Sequence, residues 1–102
     1  QQGYEYNTAR YATYFLGSIW KSYGDLMKSK KYYNSSVKYA LLANAGEKGY
    51  YFYSLIHLGE IAVLEKEFNL ALKYFKKVRK VTGRKHDANR LAKEKIKQIE
   101  NE

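Results

Sequence analysis

Apolar residues recur along the whole chain at intervals of three and four positions. In the first segment they are Ala9, Ala12, Leu16, Ile19, Trp20, Tyr23 and Met27. A period of this length places apolar side chains on one face of an α-helix, whereas a strand alternates at every second position. The same spacing returns in four later segments, and no stretch alternates cleanly enough to predict a strand. The pattern therefore predicts an all-α chain of about five helices, over residues 6–29, 32–45, 50–65, 67–82 and 87–101.

Short polar stretches separate several of these predicted helices. They lie at residues 28–31, 45–49 and 82–85. Gly46 suits the left-handed backbone that closes many helices, and Asp87 is a candidate N-cap for the last helix. Connections this short favour antiparallel packing of the helices that they join.

An internal repeat is found when the chain is shifted by 35 residues against itself. The matched pairs include Trp20 with Leu55, Tyr23 with Leu58, Gly24 with Gly59, Tyr33 with Phe68, and Ser36 with Ala71. Each unit then contains a helix, a tight turn and a second helix. We expect the two glycines to let the second helix approach the first closely. We expect Tyr33 and Phe68 to fill the wedge between the paired helices.

The spacing of these residues resembles the tetratricopeptide repeat family, whose signature is a large residue, Leu-Gly, an aromatic residue and then a small–aromatic–small series. The second unit, residues 52–85, carries the matching residues Leu58, Gly59, Phe68, Ala71 and Phe75. The first unit, residues 17–51, departs from the series, because Ser36 and Ala40 replace the expected alanine and aromatic residue. The proline usual near the end of each unit is also absent.

The resemblance implies a short right-handed α-solenoid of antiparallel helix pairs, in which helix 87–101 covers the second unit as a cap. Repeats of this kind bury their apolar faces only against their neighbours. Residues 1–102 are therefore expected to form a single helical domain that is a fragment of a longer protein.

The predicted N-terminal helix begins well before the first unit. Its early aromatic residues have no obvious packing partner within 102 residues; they are Tyr4, Tyr6, Tyr11, Tyr14 and Phe15. An unpartnered apolar surface indicates either self-association or missing upstream repeats. Missing repeats are slightly favoured, and a homo-oligomer formed through this helix is the alternative.

Candidate catalytic and metal-binding groups are few. The chain has no cysteine and two histidines, which excludes disulfides and thiolate chemistry. His57 stands three residues before Glu60, and a polar groove lining is favoured over a metal or proton-transfer site. No Gly-rich phosphate loop, His-Glu-x-x-His or serine-elbow motif occurs. The sequence predicts a protein that is not an enzyme and has no metal or cofactor, and its apolar stretches are too short for a transmembrane segment.

A peptide-binding groove is implied by the resemblance, because the first helix of each unit lines such a groove in that family. Projected onto this chain, the predicted groove residues are Ser18, Lys21, Asp25, Lys28, Tyr53, His57, Glu60 and Leu64. Tyrosine suits this role, since its ring brings a large contact area with few torsions to restrict. The predicted function is thus a non-catalytic scaffold that binds a protein or peptide partner.

The net charge of +9 is concentrated near the C-terminus. Residues 73–97 contain eleven basic and two acidic residues, so the rest of the chain is neutral overall. The predicted basic patch consists of Lys76, Lys77, Arg79, Lys80, Arg84 and Lys85. The alternative function is electrostatic binding of nucleic acid or another acidic surface through this patch. Nucleic acid is the less favoured partner, because the interleaved aromatic residues of a single-strand binder are missing.

The cellular compartment is not determined by these features. The chain starts at Gln1, which suggests trimming by processing or design, and no signal peptide is recognisable in it. The cytoplasm is slightly favoured, and the periplasm or secretion after processing is the alternative.

Overall fold

The computed structural model describes the backbone of residues 2–101 and the side chains of residues 5–101. These residues form five α-helices and no strand: α1 Gln2–Ser22, α2 Leu26–Leu42, α3 Gly49–Leu64, α4 Phe68–Val81 and α5 Asp87–Glu100. The predicted all-α class with five helices is confirmed. The chain divides into two compact units, Gln1–Ser54 and Leu55–Glu102, and each is described by itself.

The predicted continuous helix over residues 6–29 is wrong. The chain turns at residues 23–25, so α1 ends at Ser22 and α2 already begins at Leu26 rather than at residue 32. Gly24 has a left-handed backbone, with φ of 82°, which ends a right-handed helix. Asp25 then caps α2, because its side-chain oxygen accepts a hydrogen bond from the Lys28 backbone N–H at 3.0 Å. The bounds predicted for α3, α4 and α5 agree with the structure to within one residue at each end.

At two helix ends, the role predicted for one residue is taken by a neighbouring residue. The left-handed residue after α2 is Asn44, with φ of 56°, and not Gly46. Asparagine tolerates this backbone better than other residues with a Cβ atom. The N-cap of α5 is His86, whose Nδ1 accepts a hydrogen bond from the Ala88 backbone N–H at 3.0 Å, so Asp87 is the first helical residue instead.

Close packing in the first unit depends on small residues between α1 and α2. A Cβ atom placed on Gly17 would lie 2.9 Å from ring carbons of Tyr33, whose side chain is fully buried. Ser29 Oγ donates a hydrogen bond to the Gly17 carbonyl oxygen at 2.7 Å, and Ser36 Oγ donates to the Arg10 carbonyl oxygen at 2.9 Å. These short side chains let the two helices approach and also satisfy their own hydroxyl groups.

The second unit has the same arrangement between α3 and α4. A Cβ atom on Gly59 would lie 2.5 Å from Cε1 of Phe75. Phe75, Ala71 and Val78 on α4 are fully buried. In both units, a glycine of one helix thus packs against an aromatic ring of the partner helix.

The repeat in the structure therefore has a period of 42 residues, and the predicted 35-residue correspondence is wrong for the first unit. The equivalent pairs are Gly17 with Gly59, Ser29 with Ala71, Tyr33 with Phe75, and Gly24 with Lys66. Gly24 and Lys66 occupy equivalent positions in the turns of their two units, since both residues have positive φ. Gly24 is not the position at which the helices approach closely, because a Cβ atom there would meet nothing within 4 Å among the described residues. Phe68 does not fill a wedge either, since its side chain is exposed.

Asn89 joins α5 to the end of α4. Its side chain is buried, and the two N–H groups of Nδ2 are shared among three acceptors at 3.1 Å, namely the carbonyl oxygens of Arg79 and Thr82 and Thr82 Oγ1. The last carbonyl groups of a helix have no partner within the helix. Asn89 therefore satisfies the end of α4 from the neighbouring helix.

We expect Asn89→Ala to lower the free energy of unfolding by about 1 kcal/mol, because the α4 carbonyl groups lose their donor. The matched control is Asn34→Ala on the exposed surface of α2, where alanine has the higher helix propensity. The measurement is thermal unfolding followed by circular dichroism. Equal melting temperatures for the two variants would contradict this role of Asn89.

Candidate functional site

The predicted groove residues of the first unit are distributed over three elements. Ser18 and Lys21 lie on α1, Asp25 lies in the turn, and Lys28 lies on α2. Ser18 Oγ is 2.8 Å from the Tyr33 hydroxyl oxygen, and Lys28 Nζ lies 4.1 Å from the centre of the Trp20 ring. Because the predicted helix 6–29 is interrupted, these four residues do not form one helix face.

The predicted groove residues on α3 keep their helical spacing. Tyr53 is half-buried and Leu64 is exposed. His57 Nδ1 lies 3.2 Å from Glu60 Oε1, and Lys95 Nζ lies 2.9 Å from Glu60 Oε2. The Glu60 carboxylate therefore links the imidazole on its own helix to the ammonium group of α5. Lys95 was not among the predicted groove residues, because its position depends on how α5 packs.

An aromatic cluster forms where α1 meets the start of α3, and it consists of Tyr11, Tyr14, Phe15 and Tyr50. The Tyr50 ring centre lies 4.9 Å from that of Tyr11, 4.6 Å from that of Tyr14 and 5.7 Å from that of Phe15. The Tyr11 and Phe15 rings meet Tyr50 edge-to-face and the Tyr14 ring is tilted against it, all at distances favourable for aromatic pairs. Tyr11 and Phe15 still expose 38% and 51% of their surface, so the cluster presents aromatic surface to solvent.

The prediction that the N-terminal aromatic residues have no partner is wrong for the described side chains. Tyr6 stacks on Tyr39 of α2 at 6.1 Å between ring centres. Tyr11, Tyr14 and Phe15 meet Tyr50, as described above. Tyr4 lies outside the residues whose side chains the structure describes. The partners were not evident from the sequence because Tyr39 and Tyr50 lie on separate helices.

Arg10 places a positive charge beside the aromatic cluster. Its side chain is 4% exposed, and its guanidinium lies 4.3 Å from the Tyr11 ring centre and 5.9 Å from the Tyr50 ring centre. Arg10 Nε donates a hydrogen bond to Asn7 Oδ1 at 2.8 Å, and Nη2 donates to the Tyr11 hydroxyl at 3.1 Å. Nη1 is buried and has no hydrogen-bond partner among the described residues. The hydrogen bond to its hydroxyl restricts the Tyr11 ring, and the attraction between the guanidinium charge and the ring face stabilises that position.

The 42-residue period explains why Tyr11 and Phe15 were predicted to lie on an unpartnered aromatic surface but were not among the predicted groove residues. With Gly17 aligned on Gly59, the predicted groove residues Tyr53 and His57 correspond to Tyr11 and Phe15 on α1. The 35-residue shift instead predicts groove residues between positions 18 and 28. Gly17 was the available signal in the sequence, because Gly17, Ser29 and Tyr33 have the same spacing as Gly59, Ala71 and Phe75.

The predicted basic patch is exposed at all six positions, Lys76, Lys77, Arg79, Lys80, Arg84 and Lys85. Two of them, Arg79 and Arg84, line a cavity of about 480 Å³ whose other lining residues come from α5. Those additional residues are Asn89, Arg90 and Lys93. The cavity therefore brings basic side chains of two helices and their connection together.

The described residues contain no group of three or more histidine, aspartate or glutamate side chains that could hold a metal ion. None of the helices in the described range is both long and apolar enough to cross a membrane. Comparison of the chain with protein-family models, with curated proteins and with solved structures found no match.

Proposed function

We propose that this chain is a non-catalytic protein-interaction module built from helix pairs of tetratricopeptide type, and that it binds a peptide or protein segment. The recurrence of a helix glycine, a small residue and a buried aromatic ring at a 42-residue spacing supports a repeat of this type. Helical repeats commonly use their extended surfaces for binding.

The exposed aromatic cluster is the observation that carries this proposal. Tyr11 and Phe15 offer solvent-exposed rings, while Tyr14, Tyr50 and Arg10 hold them from the protein side. Aromatic side chains that are already restricted lose little conformational entropy when they bind. The expected ligand is a segment with apolar or aromatic side chains, because these can stack on the rings.

Two of the groove residues predicted from the sequence lie on the helices that carry this aromatic cluster. Lys21 follows Phe15 along α1, and Tyr53 follows Tyr50 along α3. Both remain predicted contact residues. We expect a polar or acidic group of the bound segment to contact them, next to the side chains that stack on the aromatic rings.

The experiment is selection of displayed random peptides on the immobilised chain, followed by affinity measurement with fluorescence anisotropy. We expect Tyr11→Ser and Phe15→Ser each to weaken the selected peptides about tenfold or more, as truncation of an aromatic anchor does. The control is Met27→Ser, which removes a side chain that is 80% exposed outside the cluster. Circular dichroism verifies that each variant retains its helices.

Two results would overturn this proposal. One is that peptides bind Phe15→Ser and Met27→Ser equally well. The other is that the unmodified chain sediments as a dimer that Phe15→Ser converts to a monomer, since the aromatic cluster would then be the interface between two copies.

A further inference from the structure

The second unit contains a cavity whose charged lining residues are all basic. Arg79 comes from the last turns of α4, Arg84 from the connection, and Arg90 and Lys93 from α5. Asn89 completes the lining, and its side-chain amide is held by α4. Because Asn89 fixes α5 against the end of α4, the basic groups are brought together by the fold and not by chain proximity alone.

Little negative charge compensates this cavity. Arg90 forms an ion pair with Asp87, but both side chains are mostly exposed, at 64% and 80%, and such pairs are weak. In the part of the chain that the structure describes, Arg79, Arg84 and Lys93 form no ion pair. Nearby Lys95 is directed to Glu60 instead. Like charges that line one cavity repel one another, so an anion bound among them is stabilised.

Arginine and phosphate are well matched in shape. The planar guanidinium presents paired N–H donors that fit two phosphate oxygens at once. The basic surface also continues outside the cavity, along Lys76, Lys77 and Lys80 on α4 and Lys97 on α5, all of them exposed. A single phosphate group would leave most of this charge without a counterion. A chain of regularly spaced phosphates would instead supply a counterion to each of these basic side chains.

Base stacking does not contribute on this surface. No phenylalanine, tyrosine or tryptophan occurs in residues 76–97, and single-strand binders depend on such rings. A duplex instead presents its phosphates outward, with about one charge per 1.7 Å of helix axis. We infer that the cavity lined by Arg79, Arg84, Arg90 and Lys93 binds the phosphate backbone of duplex nucleic acid without reading its sequence.

The test is fluorescence anisotropy of the full chain with a labelled mixed-sequence DNA duplex, measured between 50 and 200 mM salt. The double variant Arg79→Gln/Arg84→Gln is expected to weaken binding about tenfold or more at low salt. The plot of log affinity against log salt concentration should also become less steep, with a slope smaller in magnitude by about 1.8, the value for two lost phosphate contacts. The matched control is Lys31→Gln/Lys38→Gln on the exposed face of α2, which removes the same charge and should leave the slope unchanged.

A second variant acts in the opposite direction. Asp87→Asn removes the carboxylate that competes for Arg90, so affinity for the duplex should rise severalfold. Equal losses in the cavity and control double variants would overturn the inference, because net charge alone would then explain binding. Tighter binding to poly-glutamate than to the duplex at the same salt concentration would also overturn it in favour of an acidic protein.

Discussion

Phe75→Ala is expected to lower the free energy of unfolding by about 3–5 kcal/mol, as truncation of a buried phenylalanine does. The Phe75 side chain is fully buried, and its ring lies against Gly59 of α3. Gly59 has no side chain that could move into the vacated volume, so the cavity stays largely open. The measurement is urea unfolding followed by far-ultraviolet circular dichroism.

The control for this prediction is Phe68→Ala on the same helix. Phe68 is 40% exposed, so its truncation removes less buried area and should cost about 1 kcal/mol. The 35-residue repeat assigned the wedge position to Phe68, whereas the 42-residue repeat assigns it to Phe75. A larger loss for Phe68→Ala than for Phe75→Ala would contradict the packing described here.

Gly59→Ala and Gly17→Ala are each expected to destabilise the protein by about 1–3 kcal/mol through overpacking. The added methyl group would lie 2.5 Å from Phe75 in one case and 2.9 Å from Tyr33 in the other. Both rings are fully buried and cannot turn away into solvent. Alanine normally stabilises a helix relative to glycine by about 0.5–1 kcal/mol, so a net loss would identify the steric contact as its cause.

Gly24 provides the matched comparison. A Cβ atom there would meet nothing within 4 Å among the described residues, but φ is 82°. Gly24→Ala is therefore expected to cost about 1–2 kcal/mol through backbone strain, and Gly24→Asn should recover most of that loss, because asparagine tolerates left-handed backbone. At Gly17 the larger asparagine should be worse than alanine. Equal responses to asparagine at positions 17 and 24 would contradict the 42-residue period.

Agreement between sequence and structure is best for α3, α4 and α5. Their apolar rows are regular, and polar connections mark their ends. The first turn was missed because residues 19–27 keep helical spacing through it. Only the left-handed Gly24 and the capping Asp25 end the helix there, and both residue types also occur within helices. A turn with an uninterrupted apolar rhythm leaves little trace in hydrophobic periodicity.

The candidate sites show the same division. Tyrosine-rich segments and a C-terminal excess of basic residues are properties of the sequence, and they led to the aromatic and the electrostatic proposals. The meeting of Tyr11 and Phe15 with Tyr50, and of Arg79 and Arg84 with Arg90, requires helices to be brought side by side. Pairing of Lys95 with Glu60 joins residues far apart in sequence, and no local rule predicts it.

The sequence by itself determined the helical class, the absence of cysteine chemistry and the concentration of positive charge, because each depends on composition or on interactions within a few residues. The tertiary structure alone decided which glycine faces which ring, and hence the period of the repeat. That choice follows from close packing, since a Cβ atom on Gly59 would lie only 2.5 Å from Phe75, so the site accepts a hydrogen atom and excludes a methyl group. The same packing decided which aromatic and basic side chains share a surface.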